Sequence, residues 1–200
     1  IGHSFGSVQG PLVFALAPEI KQAVWNVGGA GLMTLLRDSN LFSILLKGLK
    51  PSNMPDGAVG RFLAVGQAIV DPGDPLNFAR YGTIEGLPGV VGWSGRDVLI
   101  QEALADGIVP NSVSRHLARA AGLPLCNQLE AISGVTAVKA PLSGNLKSGA
   151  TGAISQFNFV DGNKPVTHGE LIFSAEARKQ YVEFFKTGLN NGHATIAAPY

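Results

Sequence analysis

The chain has one cysteine, Cys126, so no intrachain disulfide and no multi-cysteine metal site can form. Cys126 sits in the apolar stretch Gly122-Leu123-Pro124-Leu125-Cys126, where a buried small hydrophobe is the expectation rather than a catalytic thiol. Charge is sparse and balanced: 15 basic against 14 acidic residues, a net charge of +1, and no Lys/Arg run. Nothing in that balance calls for nucleic acid or an anionic membrane surface. No apolar run approaches the ~20 residues needed to span a bilayer. What remains is a chain of 200 residues, 46% hydrophobic and rich in glycine (26) and proline (12), suited to a packed α/β or all-β globule. A mean hydropathy of +0.21 points to apolar surface meant for a partner, a lipid-like substrate or further parts of the same fold.

Apolar residues recur at helical spacing over residues 4–17 (Val8, Leu12, Ala15, Leu16), with Pro11 expected to kink this helix or mark its effective start. Residues 21–27 read as a short buried strand ending in Gly28-Gly29-Ala30-Gly31. That turn resembles a phosphate loop only superficially, because no Lys-Ser/Thr follows and no acidic ribose partner is evident. Residues 32–80 differ in character. Leu32, Leu35, Leu36, Leu41, Phe42, Leu45, Leu46 and Leu49 form apolar helical segments, and residues 62–70 form another before Asp71-Pro72-Gly73-Asp74-Pro75 breaks the chain. Such a segment between two strands reads as a helical cap or lid, with ordinary core helices as the competing reading. Strands are expected at residues 97–103 and 153–160. Helices are expected at 111–121, capped by Asn111 or Ser112 and closed by Gly122, and at 174–187, with Ser174 as N-cap and Gly188 as stop. Strand–helix alternation with short connections predicts a mostly parallel sheet covered by helices.

The opening residues carry the chemistry. Gly2-His3-Ser4-Phe5-Gly6 fits G-x-S-x-G, in which a Ser occupies a strained strand-to-helix turn and flanking glycines avoid collision with neighbouring backbone. In that geometry Ser4 Oγ is exposed and the Phe5 N–H points at a developing oxyanion. A Ser nucleophile needs a His base and a carboxylate that holds it, drawn from loops at the carboxyl ends of strands. Asp106 meets that rule. Asp97 lies at the wrong end of its strand, Asp71 and Asp74 follow a helix, and Asp161 suits a turn. Among the histidines, His168 follows the last strand and precedes the final helix. His193 in the C-terminal tail is the alternative base. His3 is expected to point away from the nucleophile, and His116 to lie solvated on a helix face.

Gly2-His3-Ser4-Phe5-Gly6, residues 71–79 (Asp-Pro-Gly-Asp-Pro-Leu-Asn-Phe-Ala) and residues 98–111, where Asp106-Gly107-Ile108-Val109-Pro110-Asn111 follows a strand, resemble extracellular bacterial lipases of the virulence-factor type. The resemblance implies an α/β-hydrolase fold, of which residues 1–200 form the C-terminal half with a cap at about 32–80. It implies Ser4 as nucleophile, Asp106 as acid, His168 as base and Phe5 N–H in the oxyanion site. No cofactor or metal is implied. It further implies hydrolysis of lipid or acyl esters, secretion or outer-membrane attachment, and possible contact with a membrane surface. Ser7 stands where a glycine is more usual. A non-catalytic module on the same fold, and a peptidase or amidase with the same triad, are the alternatives. A sheet about three strands wide, with a bare apolar first strand, predicts a companion: a missing N-terminal half of the fold or a second copy.

Overall fold

The computed structural model describes residues 1–200, the side chain of Asp56 excepted. Strand β1 (Gly2–His3) leads through Ser4 into α1 (Phe5–Leu16), followed by β2 (Gln22–Asn26). A helical insertion follows: α2 (Leu32–Asp38), α3 (Ser43–Leu49), α4 (Val59–Val70), α5 (Pro75–Phe78) and α6 (Arg80–Thr83). The second half contains β3 (Asp97–Ala103), α7 (Asn111–Ala120), β4 (Leu125–Cys126), β5 (Ala137–Val138), β6 (Gly152–Phe157), β7 (Phe159–Val160), β8 (Lys164–Pro165) and α8 (Ala175–Asn191).

One six-stranded sheet runs β1-β2-β3-β6-β4-β5, and all of its ladders are parallel. It is twice as wide as expected. The additional strands are two residues long and carry no readable period. The run expected at 153–160 breaks at Asn158, and its end joins β8 in a separate antiparallel ribbon. β1 pairs only with Trp25 and Asn26, so Gln22, Ala23 and Val24 have no strand partner on that side.

Both faces of the sheet are covered. Phe14, Trp25, Ile100, Leu117 and Ile154 pack on the α1/α7 side, and Val24, Leu99, Ala153 and Phe184 on the α8 side. All seven residues of β3 are buried, as expected for a central parallel strand. Trp25 also explains Gly10: a Cβ there would lie 2.7 Å from the indole nitrogen. α1 continues through Pro11 as one helix.

Two helix ends differ from expectation. Pro110 is the N-cap of α7, because the Asn111 amide is turned back to Glu102 and the Ala103 carbonyl. Ser112 is not the cap either, since its hydroxyl bonds Asp38. α8 runs past Gly188 and stops at Gly192 (φ 79°), while Gly188 lets the helix approach Gln22 of β2.

Candidate active site

Ser4 sits between β1 and α1 at φ 54°, ψ −120°, a conformation that L-residues adopt only under constraint. The constraint is visible. Ser4 N–H donates to the Asn26 carbonyl (3.0 Å), and the Ser4 carbonyl accepts from the N–H groups of Ser7 and Val8. The buried Ser7 hydroxyl lies 2.7 Å from the Gly2 carbonyl oxygen and 2.8 Å from that of Asn26, tying strand and helix together. A Cβ on Gly2 would come within 2.5 Å of the Gly6 carbonyl oxygen, so that glycine is required by close approach. Gly6 is not. A Cβ there meets nothing within 4 Å, so the expected collision at this second glycine is not seen among residues 1–200.

The structure brings Ser4, His168 and Asp106 together. His168 Nε2 lies 2.7 Å from Ser4 Oγ, and His168 Nδ1 lies 2.7 Å from Asp106 Oδ2. A carboxylate only accepts, so Nδ1 carries the proton and Nε2 accepts from the hydroxyl. The other Asp106 oxygen, Oδ1, accepts from the N–H groups of Ile108 and Val109, both at 2.9 Å. This turn aims Oδ2 at His168. His168 arrives from the loop after β8, and Asp106 from the loop after β3. Such an arrangement can move a proton from Ser4 to His168 while the carboxylate holds the ring.

The loop carrying Asp106 is braced from beneath. Glu102, fully buried at the end of β3, accepts from Gln156, Asn111 and Arg115. Burial pushes its carboxyl above the usual range, and the Gln156, Arg115 and Asn111 contacts only partly offset that.

The remaining candidates fall elsewhere. His193 is exposed beyond the end of α8. His3 does not point away: its ring centroid lies 5.5 Å from that of His168, because His3 is the last residue of β1 and stays on the strand when the chain reverses at Ser4. His116 is half-buried rather than solvated, and desolvation, aided by Arg119, lowers its pKa. Asp97 is structural, its two oxygens accepting from Thr151 and Ala194 N–H. Asp161 holds the start of α8 by accepting from Ala175 N–H. Asp74 accepts from the N–H groups of Gly31, Leu32 and Leu76, so the glycine turn is already served by a carboxylate of the same chain. Phe5 opens α1, where its N–H is one of the donors without an intrahelical acceptor. Cys126 is buried, which pushes its thiol pKa up. No group of three or more His, Cys, Asp or Glu side chains among the described residues could hold a metal ion. No helix among them is long and apolar enough to cross a membrane.

The insertion borders this site. Asn40 N–H donates to the Gly107 carbonyl (2.8 Å), and Leu35 and Phe42 pack against Ile108, Val109 and Val113. Yet α3 and α4 bury no residue, and Ile44, Leu45, Leu49, Val65 and Ile69 are exposed.

No protein-family model matches the chain, and no curated protein matches it. Among solved structures it is similar to the acylaminoacyl peptidase of Pyrococcus horikoshii in an orthorhombic crystal form. The TM-score is 0.53 at 15% identity, covering 95% of this chain and 24% of that one. It is also similar to an acylaminoacyl peptidase in complex with Z-Gly-Gly-Phe-chloromethyl ketone, with a TM-score of 0.50, 16% identity and coverage of 95% and 23%. The chain thus spans about a quarter of the length of these proteins. With its parallel sheet flanked by helices, the chain has the α/β-hydrolase fold.

Proposed function

We propose that the chain carries the reacting groups of a serine hydrolase acting on carboxylic esters with an acyl chain. The observation that carries this reading is the unbroken line from Ser4 through His168 to Asp106, at 2.7 Å for each link, with Ser4 held at positive φ. His168 Nε2 takes the Ser4 proton as Oγ attacks the ester carbonyl. Asp106 keeps the ring oriented and stabilises the imidazolium, and the proton then passes to the leaving alcohol. Phe5 N–H is proposed to hold the oxyanion, with a second donor contributed from outside residues 1–200. Water, activated by the same His168, then clears the acyl-enzyme. The apolar side chains of α3 and α4 support an acyl substrate, for which residues 32–80 would act as the cap. The unpaired edge of β2 supports completion of the sheet by a further strand.

A peptidase reading uses the same three residues and is favoured by the similarity to acylaminoacyl peptidases. A panel of p-nitrophenyl esters of increasing acyl length, run beside acyl-peptide substrates, separates the two. The ester reading expects turnover rising with acyl length and little peptide cleavage. Preferred cleavage of acyl-peptides would replace it with the peptidase reading, and no turnover of either class would favour a non-catalytic module.

A further inference from the structure

One register row crosses five neighbouring strands. His3 stands opposite Asn26, Asn26 opposite Gln101, Gln101 opposite Ser155, and Ser155 opposite Cys126. Two residues earlier on the three middle strands, the same face carries Val24, Leu99 and Ala153, all fully buried and apolar. Polar side chains at this depth cost stability unless every donor and acceptor is used. Asn26, Gln101 and Ser155 are fully buried, and α8 adds the buried Gln180.

The hydrogen bonds have one possible sense. Gln180 Nε2 donates to the Ala197 carbonyl (2.8 Å) and to Ser155 Oγ (2.9 Å), leaving its Oε1 to accept from Gln101 Nε2 (3.0 Å). Gln101 Nε2 also donates to the Ala177 carbonyl (3.0 Å), so Gln101 Oε1 accepts from Asn26 Nδ2 (2.9 Å). Asn26 Oδ1 can then only accept, and its partner is His3 Nδ1 at 2.8 Å. Two backbone carbonyls, which cannot donate, therefore fix the orientation of three amides and place a proton on His3 Nδ1. Of the side chains in this hydrogen-bonded chain, it is that of His3 that meets the triad. Its ring lies 5.5 Å from that of His168, tilted by 41°.

Resting on the triad reading above, we propose that His3 is a positioning residue: its ring, locked by the Asn26–Gln101–Gln180 amide chain, walls the His168 imidazole into line with Ser4 and Asp106. His168 belongs to a loop, which leaves its ring without the restraint of a strand. His3 belongs to β1 and supplies that restraint. An apolar row would have sufficed to fill the sheet, but it could not fix the rotation of the His3 ring about its bond to the backbone.

The test combines kinetics with a direct view of the ring. With a p-nitrophenyl ester, His3→Ala is expected to lower kcat by about 10- to 100-fold, as expected for a misplaced catalytic group, with KM and circular dichroism little changed. His3→Asn keeps an N–H for Asn26 but lacks the ring, and should be as slow. His3→Phe keeps a ring without the donor and should fall between. Gln101→Met should slow the enzyme in the same direction, and the double variant His3→Ala/Gln101→Met should be no slower than His3→Ala alone. In the unmodified protein, long-range ¹H–¹⁵N correlation should find neutral His3 protonated at Nδ1. Unchanged kcat in His3→Ala, multiplying effects in the double variant, or a proton on Nε2 would each overturn the proposal. Should Gln101→Met fail to fold, the His3 series and the ring proton decide. Failure of the triad reading looks different: the unmodified chain would leave esters untouched and its Ser4 unlabelled by fluorophosphonate, while the ring proton would still report on the amide chain.

Discussion

Two regions of the molecule are built in opposite ways. At the carboxyl ends of β1, β2, β3 and β6, polar groups are buried and paired, from the Ser7 hydroxyl under the elbow to Glu102 beneath the Asp106 loop. In the insertion, α3 and α4 bury no residue and present Ile44, Leu45, Leu49, Val65 and Ile69 to the outside. On the proposed hydrolase reading, small displacements in the first region cost rate. The exposed apolar side chains of α3 and α4 make a surface whose attraction is non-directional and tolerates rearrangement. Substitutions should therefore act on rate in one region and on substrate choice in the other.

The largest expected effect is on chemistry. Ser4→Ala should remove about 10³-fold or more of kcat without changing the melting temperature, and adding His168→Ala should cost little more, since the two act as a unit. Next come the contrasting apolar positions. Leu99→Ala, in the fully buried β3, should destabilise by about 2–5 kcal/mol in denaturant titration. Leu45→Ser, on the exposed face of α3, should change stability by less than about 0.5 kcal/mol. Its effect should appear as lost preference for long acyl esters. A Leu45→Ser protein with unchanged chain-length preference would break the comparison.

Acid should loosen the insertion before the sheet. Burial alone would raise the Asp74 pKa, but bonds from Gln67 and from the N–H groups of Leu76, Leu32 and Gly31 outweigh it and hold the carboxyl below its usual range. A depressed folded-state pKa contributes stability above the unfolded value, and that stability is lost as pH falls through the folded one. Below about pH 4, proteolysis within residues 41–58 should accelerate while Trp25 fluorescence still reports a folded core. Simultaneous loss of both would contradict the separation. The smallest effects distinguish the elbow glycines. Gly2→Ala should disrupt folding or labelling through its clash with the Gly6 carbonyl. Gly6→Ala should be neutral or stabilise by up to about 1 kcal/mol, as alanine does within a helix.

These contrasts also explain what could be read from the chain. The elbow was legible because its signal is local: two glycines and a serine within five residues. β3 was legible from its apolar Val98-Leu99-Ile100 segment, and Asp106 and His168 stood out by their places after strands. β4 and β5 were not, because two-residue strands carry no period, so the sheet was expected at half its width. Nor was the place of His3 beside His168, which depends on a register linking residues 3, 26, 101 and 155 and on hydrogen bonds to residue 180 of α8. Periodicity does reveal that a strand faces a core, but not which residue of another strand will lie beside it. Gly188 differs for a related reason: its place after an apolar stretch predicts a helix stop, whereas its small size serves close packing on Gln22.

The central claim is that Ser4 is the activated nucleophile of this site, and active-site labelling tests it most directly. A fluorophosphonate probe followed by peptide mass spectrometry should place a single adduct on Ser4. That adduct should be absent in Ser4→Ala and strongly slowed in His168→Ala. An adduct on another residue, or labelling that persists in Ser4→Ala, would contradict the account.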